Sequence, residues 1–154
     1  MNIPRSFTLA LVASVFFTAA LAQEKKINRS DLPAAVEKTV EVQSRGATLR
    51  GVSQEKEKGQ TYYEAELTVN GHSKDVLVDA NSAIVEVEEQ VEMNALPAAV
   101  VEGLQSRAGK GKLVKVESIT KHDKLVAYEA QVSTNGRKSE VQVGPDGKSL
   151  DHEE

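Results

Sequence analysis

Three histidines, His72, His122 and His152, are the residues of this chain best suited to proton transfer near neutral pH. A zinc site or an activated nucleophile needs such a group held near a second histidine or a carboxylate on a regular element. None of the three has that spacing: His72 follows the turn-former Asn70-Gly71, His122 stands in a polar Lys-His-Asp-Lys stretch, and His152 lies in an acidic tail. No Gly-x-Ser-x-Gly elbow is present to present a serine. Cysteine is absent, which removes thiolate nucleophiles, thiolate metal sites and disulfides together. Asp79-Ala80-Asn81-Ser82 begins like a calcium loop but lacks that loop's glycine and distal glutamate. The residues therefore predict a chain that is not an enzyme, with no catalytic group, no metal site and no cofactor.

A different chemistry is written in the carboxylates. Glu64, Glu66, Glu86, Glu88, Glu117 and Glu129 fall on the outward positions of alternating segments, a pattern that a solvated face or a recognition surface would give. Lys56, Lys58, Lys121 and Lys124 read as solvating charges in hairpins. Tyr62, Leu77 and Ile84 break the polar pattern, and aromatic and aliphatic groups among charges are what a protein-binding patch contains. Tyr62, Glu64, Glu66, Leu77, Ile84 and Glu129 are thus the candidate partner-binding residues.

These residues need elements to hold them, and the chain supplies its elements twice. Leu32-Pro33-Ala34-Ala35-Val36 returns as Leu96-Pro97-Ala98-Ala99-Val100, Tyr63-Glu64-Ala65 as Tyr128-Glu129-Ala130, and Asn70-Gly71 as Asn135-Gly136. The later two pairs are spaced one position wider than the first, so a single residue is inserted between Val116 and Tyr128, where a turn could absorb it. Each copy opens with an amphipathic helix. Leu32, Val36 and Val40 recur at helical spacing, capped by Ser30 or Asp31 and stopped by Gly46; Leu96, Val100 and Leu104 repeat the stripe, capped by Asn94 and stopped by Gly109.

Strands follow each helix. Tyr63, Ala65, Leu67 and Val69 alternate with polar neighbours, and the Asn-Gly pair supplies the left-handed residues of a tight hairpin. Val76 and Val78 line the return strand, Ile84 to Gln90 forms a further one, and Leu49 to Gln54 an earlier one. The second copy reads Leu113 to Ile119, Leu125 to Thr134, Glu140 to Val143 and an abbreviated Lys148-Ser149-Leu150, with Glu88 to Asn94 as the linker. The expected class is α+β: two tandem helix-plus-antiparallel-meander repeats, a helix packed on one face of each sheet, and the copies joined by a sheet edge or a helix interface.

The address is at the start. Arg5 precedes the uncharged run from Phe7 to Ala22, which ends in Ala20-Leu21-Ala22, the pattern of a cleaved secretory signal peptide over residues 1–22. The run is shorter than the roughly 20 apolar residues a spanning helix needs, so no membrane attachment is expected after cleavage. The mature chain, from Gln23 to Glu154, has lost the cation Arg5 and keeps every anion, so it is more acidic than the full chain, whose net charge is −4. That balance argues against a nucleic-acid partner. A periplasmic or secreted protein is expected.

Leu-Pro-x-Ala-Val opening a helix, a Tyr-Glu-Ala strand, an Asn-Gly hairpin and a valine-rich strand ended by Asp, duplicated behind a signal peptide, resemble the PepSY-like group of exported, β-lactamase-inhibitor-like proteins. The resemblance covers the mature chain, once over residues 23–91 and once over 92–154. It implies a joined sheet with a concave face and a role in binding or inhibiting another exported protein, a peptidase or lactamase. The rival reading is a sensory domain that holds a small molecule or divalent ion between the copies.

Overall fold

The structure, a computed structural model, describes residues 24–152 and 154; the expected signal peptide lies outside the described residues. A short strand β1 (Lys25–Ile27) precedes helix α1 (Ala34–Gln43) and strands β2 (Thr48–Glu57), β3 (Gln60–Val69), β4 (His72–Asp79) and β5 (Ile84–Gln90). Helix α2 (Ala98–Ala108) and strands β6 (Lys112–Lys121), β7 (Lys124–Thr134) and β8 (Arg137–Val143) follow. All eight strands form one antiparallel sheet in chain order. The class is α+β, and the two groups of strands join edge to edge, Glu86 opposite Lys121 through to Gln90 opposite Glu117. Glu88 is therefore a mid-strand residue, and the linker begins beyond Gln90.

Both helices cover the same face of the sheet. Val36 and Val40 of α1 are fully buried against Val52, Ala65, Leu67, Val76 and Val78. Val100 and Leu104 of α2 are buried against Val116, Ala130 and Val143. Away from the bulges, strand alternation then commits the intervening side chains to the other face, which no helix covers.

The expected caps are not where the helices start. Pro33 and Pro97 are the residues before α1 and α2, both extended (ψ 140°), and neither helix has a side-chain cap. Ser30 and Asp31 lie instead in a 3-10 turn, where the Asp31 carboxylate accepts from the Asn28 main-chain N–H (3.1 Å) and side-chain amide (3.0 Å). Asn94 lies in a second such turn, Met93–Ala95. A proline at the cap position has no side-chain oxygen to accept from the first free N–H groups of the helix, so neither helix gains a side-chain cap.

Three ladders slip by one residue: β2–β3 once, β4–β5 once beside Leu77, and β6–β7 twice. Between β2 and β3 the shift lies at Leu49/Gly51, and between β6 and β7 it lies at the equivalent place in the second group of strands, Leu113/Lys115. A further shift at Ile119/Thr120 leaves Val126 of β7 without an opposite residue. Val126 is thus a bulge within β7, whereas the hairpins Glu57 to Gln60 and Lys121 to Lys124 both have two-residue loops, so the wider spacing of the later sequence pairs falls in a strand and not in a turn. The expected final strand at Lys148–Leu150 does not form; β8 is the last strand among the described residues.

Candidate functional site

The helix-free face is built from the alternate residues of β2 to β8. Ser53 opposes Glu64, Glu64 opposes Leu77, and Leu77 opposes Glu86 in one row across the sheet. The next row carries Glu66, Asp75, Glu88 and Ile119, and Glu117 and Glu129 face each other beyond. The sequence predicted outward carboxylates; the ladders bring them together. Glu55, Glu57, Glu64, Asp75, Leu77, Glu86 and Glu88 line a cleft of about 190 Å³.

Burial sets the electrostatics of this cleft. It raises the Glu88 carboxyl from its ordinary 4.5 to about 8, with the charges of Glu86, Glu129, Glu117 and Asp75 adding to the shift. Burial likewise raises Glu64 to about 7, reinforced by Asp75 and Glu55 and opposed by the Ser53 hydroxyl, which donates to Glu64 at 3.2 Å. Glu55 and Asp75 are raised as well, again chiefly by burial, although Arg50 at 3.5 Å holds Asp75 back. Carboxyl oxygens of Asp75, Glu88 and Glu117 lie within 4.8 Å of one another where the two groups of strands meet. Glu117 is balanced by Lys115 at 2.7 Å and by the Ser73 hydroxyl, which donates at 2.9 Å.

Five of the six candidate residues share this face. Tyr62 donates its hydroxyl to Gln60 at 2.6 Å, Glu66 pairs with Lys26 (3.7 Å) and Arg50 (3.9 Å), and Glu129 accepts from Gln142 (2.8 Å). Ile84 does not belong with them. The register slips between Leu77 and Val78, so that Val78 opposes Ile84 while Leu77 opposes Glu86. Ile84 packs against the α1 core, and Val85 takes its place beside Tyr62 and Leu77 in a second, shallow cleft. Because side chains alternate, a one-residue slip exchanges the faces of neighbours, and strict alternation read from the sequence carries no sign of it.

The histidines do not converge. His72 Nε2 is 3.5 Å from Glu92 at one hairpin, and His152, exposed in the tail, is 3.8 Å from Glu154. His122 is exposed at the β6–β7 hairpin and borders the cleft that holds Tyr62, Leu77 and Glu86. Among the described residues, no side-chain hydrogen bond or ion pair joins His122 to a carboxylate. What the sequence did not single out is the meeting of Asp75, Glu88 and Glu117; its only signal was three acidic residues on outward positions of separate strands.

No family model matches the chain, and no curated protein matches it. Among solved structures it is similar to a candidate periplasmic protein of Bacteroides eggerthii (20% identity, TM-score 0.62, covering 77% of this chain and 86% of that one). It is also similar to a BLIP-like protein of Bacteroides fragilis (22% identity, TM-score 0.56, 77% and 83%). A DUF2874 family protein of Bacteroides uniformis gives 21% identity, a TM-score of 0.59, and coverage of 75% and 84%. These likenesses establish a shared fold. Among the described residues, no helix is long and apolar enough to cross a membrane.

Proposed function

We propose that this chain is an exported, non-enzymatic binding protein of the periplasm or the secreted fraction, which holds another protein against the helix-free face of its sheet. Two PepSY-like units, residues 23–91 and 92–154, build that face as one continuous surface. The carrying observation is Tyr62, Leu77 and Val85 set among carboxylates on an eight-stranded sheet whose other face is braced by two helices. The mechanism is steric: a rigid surface laid over the cleft or flank of a peptidase- or lactamase-class partner. The descriptions of the Bacteroides fragilis neighbour as a BLIP-like protein and of the Bacteroides eggerthii one as periplasmic agree with this reading. The equal hairpins and the bulges at equivalent places, Leu49/Gly51 and Leu113/Lys115, support the duplication. Capture from envelope extract tests the function: the mature chain retains a partner that the same bait carrying Tyr62→Ala and Leu77→Ala loses.

The rival reading, a sensory domain for a small molecule or divalent ion, draws on the three carboxylates that meet at the junction of the units. Its divalent-ion form requires calcium or zinc to raise the melting temperature of the wild type and to leave Glu88→Gln unmoved. Equal melting curves at up to about 10 mM calcium exclude a calcium site, since one of extracellular type binds near about 1 mM.

A further inference from the structure

The two groups of strands differ in one respect that bears on assembly. In the first group of strands, β4 runs into a tight turn, closed by the Asp79 N–H donating to the Ala83 carbonyl (2.9 Å), and β5 then pairs along its outer side. The same turn follows β8, with the Gly144 N–H donating to Lys148 (2.8 Å), yet no strand comes after it among the described residues. The chain instead passes Ser149, which accepts from Arg107 at 3.3 Å, and brings the Glu154 N–H onto the Gln142 side chain at 2.8 Å. Burial along β8 follows this path. Gln142 and Val143 are buried, whereas Arg137, Lys138, Ser139 and Glu140 are all exposed.

The hairpin fixes which main-chain groups are left over. Asn135 and Gly136 both have positive φ (52° and 80°), and Thr134 opposes Arg137 across this two-residue loop. In such a hairpin the flanking pair exchanges both of its hydrogen bonds. Arg137, Ser139 and Val141 therefore bond to β7, and Lys138 and Glu140 direct their N–H and C=O groups away from the sheet.

We infer that the outer edge of β8 pairs antiparallel with the same edge of a second copy, with Lys138 of each copy opposite Glu140 of the other about a central Ser139–Ser139 pair. Charge selects this register. Centring the pair on Glu140 would set two glutamates face to face, and centring it on Lys138 would set two lysines face to face, which cross-strand pairs avoid. Centring on Ser139 instead gives two ion pairs and matches outward N–H groups with outward C=O groups on both strands. Lysine on an edge strand commonly discourages pairing; here a glutamate two residues along supplies its counter-charge in a like copy. The two-fold axis stands perpendicular to the sheet, so the helix-free faces of both copies lie on one side as a single surface. This assembly is independent of what that surface binds.

Sedimentation of the mature chain tests the inference over about 10 μM to about 1 mM at low salt, the range in which a short, charge-assisted interface associates. The wild type is expected to shift from monomer to dimer, more weakly as salt is added. Lys138→Glu or Glu140→Lys alone should raise the dissociation constant at least about tenfold, and the double variant, which swaps the charges, should recover it. Circular dichroism confirms that these exposed substitutions leave the fold intact. A wild type that stays monomeric throughout overturns the inference, as does a double variant no better than the single ones, or variants that all dimerise like the wild type.

Discussion

Glu88→Gln makes the protein more stable at neutral pH and flattens its dependence on pH. In the folded chain the Glu88 carboxyl is raised from its ordinary 4.5 to about 8, first by burial and then by the charges of Glu86, Glu129, Glu117 and Asp75. In the unfolded chain it titrates normally. Below its unfolded value both states carry the proton, and the group has no effect. As pH rises from there, the unfolded chain releases the proton while the folded chain retains it, and stability falls until the folded group also ionises near pH 8. Glu64, raised to about 7, acts in the same direction.

Wild-type protein is therefore expected to be less stable at about pH 8 than at about pH 5 by about 2–4 kcal/mol, on the order of 10 °C in melting temperature. That is the reverse of ordinary acid denaturation. Glutamine, close in shape and uncharged, removes most of the slope, whereas Glu102→Gln on the exposed side of α2 leaves it unchanged. Denaturant titrations at a series of pH values read the effect. A wild type that is most stable at the alkaline end, or a Glu88→Gln curve parallel to it, would show that this cleft does not shield its carboxylates.

The second large effect lies on the helix side. Gly103 of α2 meets the backbone of Gly147 so closely that a Cβ there would run into the Gly147 carbonyl oxygen. Gly147 in turn has φ +78° and would strike the Ala99 carbonyl if it carried a side chain. At the corresponding place of the first half, Thr39 donates its hydroxyl to the Ser82 carbonyl at 3.1 Å. One half closes the helix onto the turn by a side-chain hydrogen bond, the other by direct backbone contact.

Gly103→Thr is accordingly expected to cost about 2–4 kcal/mol, because the obstacle is main chain that cannot rotate away and the gain in helix propensity recovers only part. Thr39→Val, which removes the hydroxyl with its bonds to the Ser82 and Ala35 carbonyls and keeps the shape, should cost about 1 kcal/mol. Urea unfolding with an unchanged slope checks both. A Gly103→Thr protein as stable as the wild type would mean that the turn swings clear of the helix and that the close packing is not needed.

The sequence was readable where periodicity alone decides. The stripes Leu32, Val36, Val40 and Leu96, Val100, Leu104 face the sheet, and Tyr63, Ala65 and Leu67 point to the helix while Tyr62, Glu64 and Glu66 point away. It was not readable where one residue shifts a register. The slip beside Leu77 sends Ile84 into the core and puts Val85 on the polar face, and a further slip makes a bulge of Val126 in β7. Strand β1 spans only Lys25–Ile27, too short to show a period. The acidic junction was hidden for another reason: Asp75, Glu88 and Glu117 belong to three strands, and only the pairing of β5 with β6 brings them to one place.

If the helix-free face is the surface that meets another protein, capture with three baits will reveal it. The baits are the mature wild type, the Tyr62→Ala/Leu77→Ala variant, and a helix-side control, Val42→Ala, at an exposed valine of α1. A protein recovered by the wild type and by Val42→Ala but lost from the sheet-face variant is the expected result. Recovery of the same proteins by wild type and sheet-face variant, or a loss confined to Val42→Ala, would contradict it.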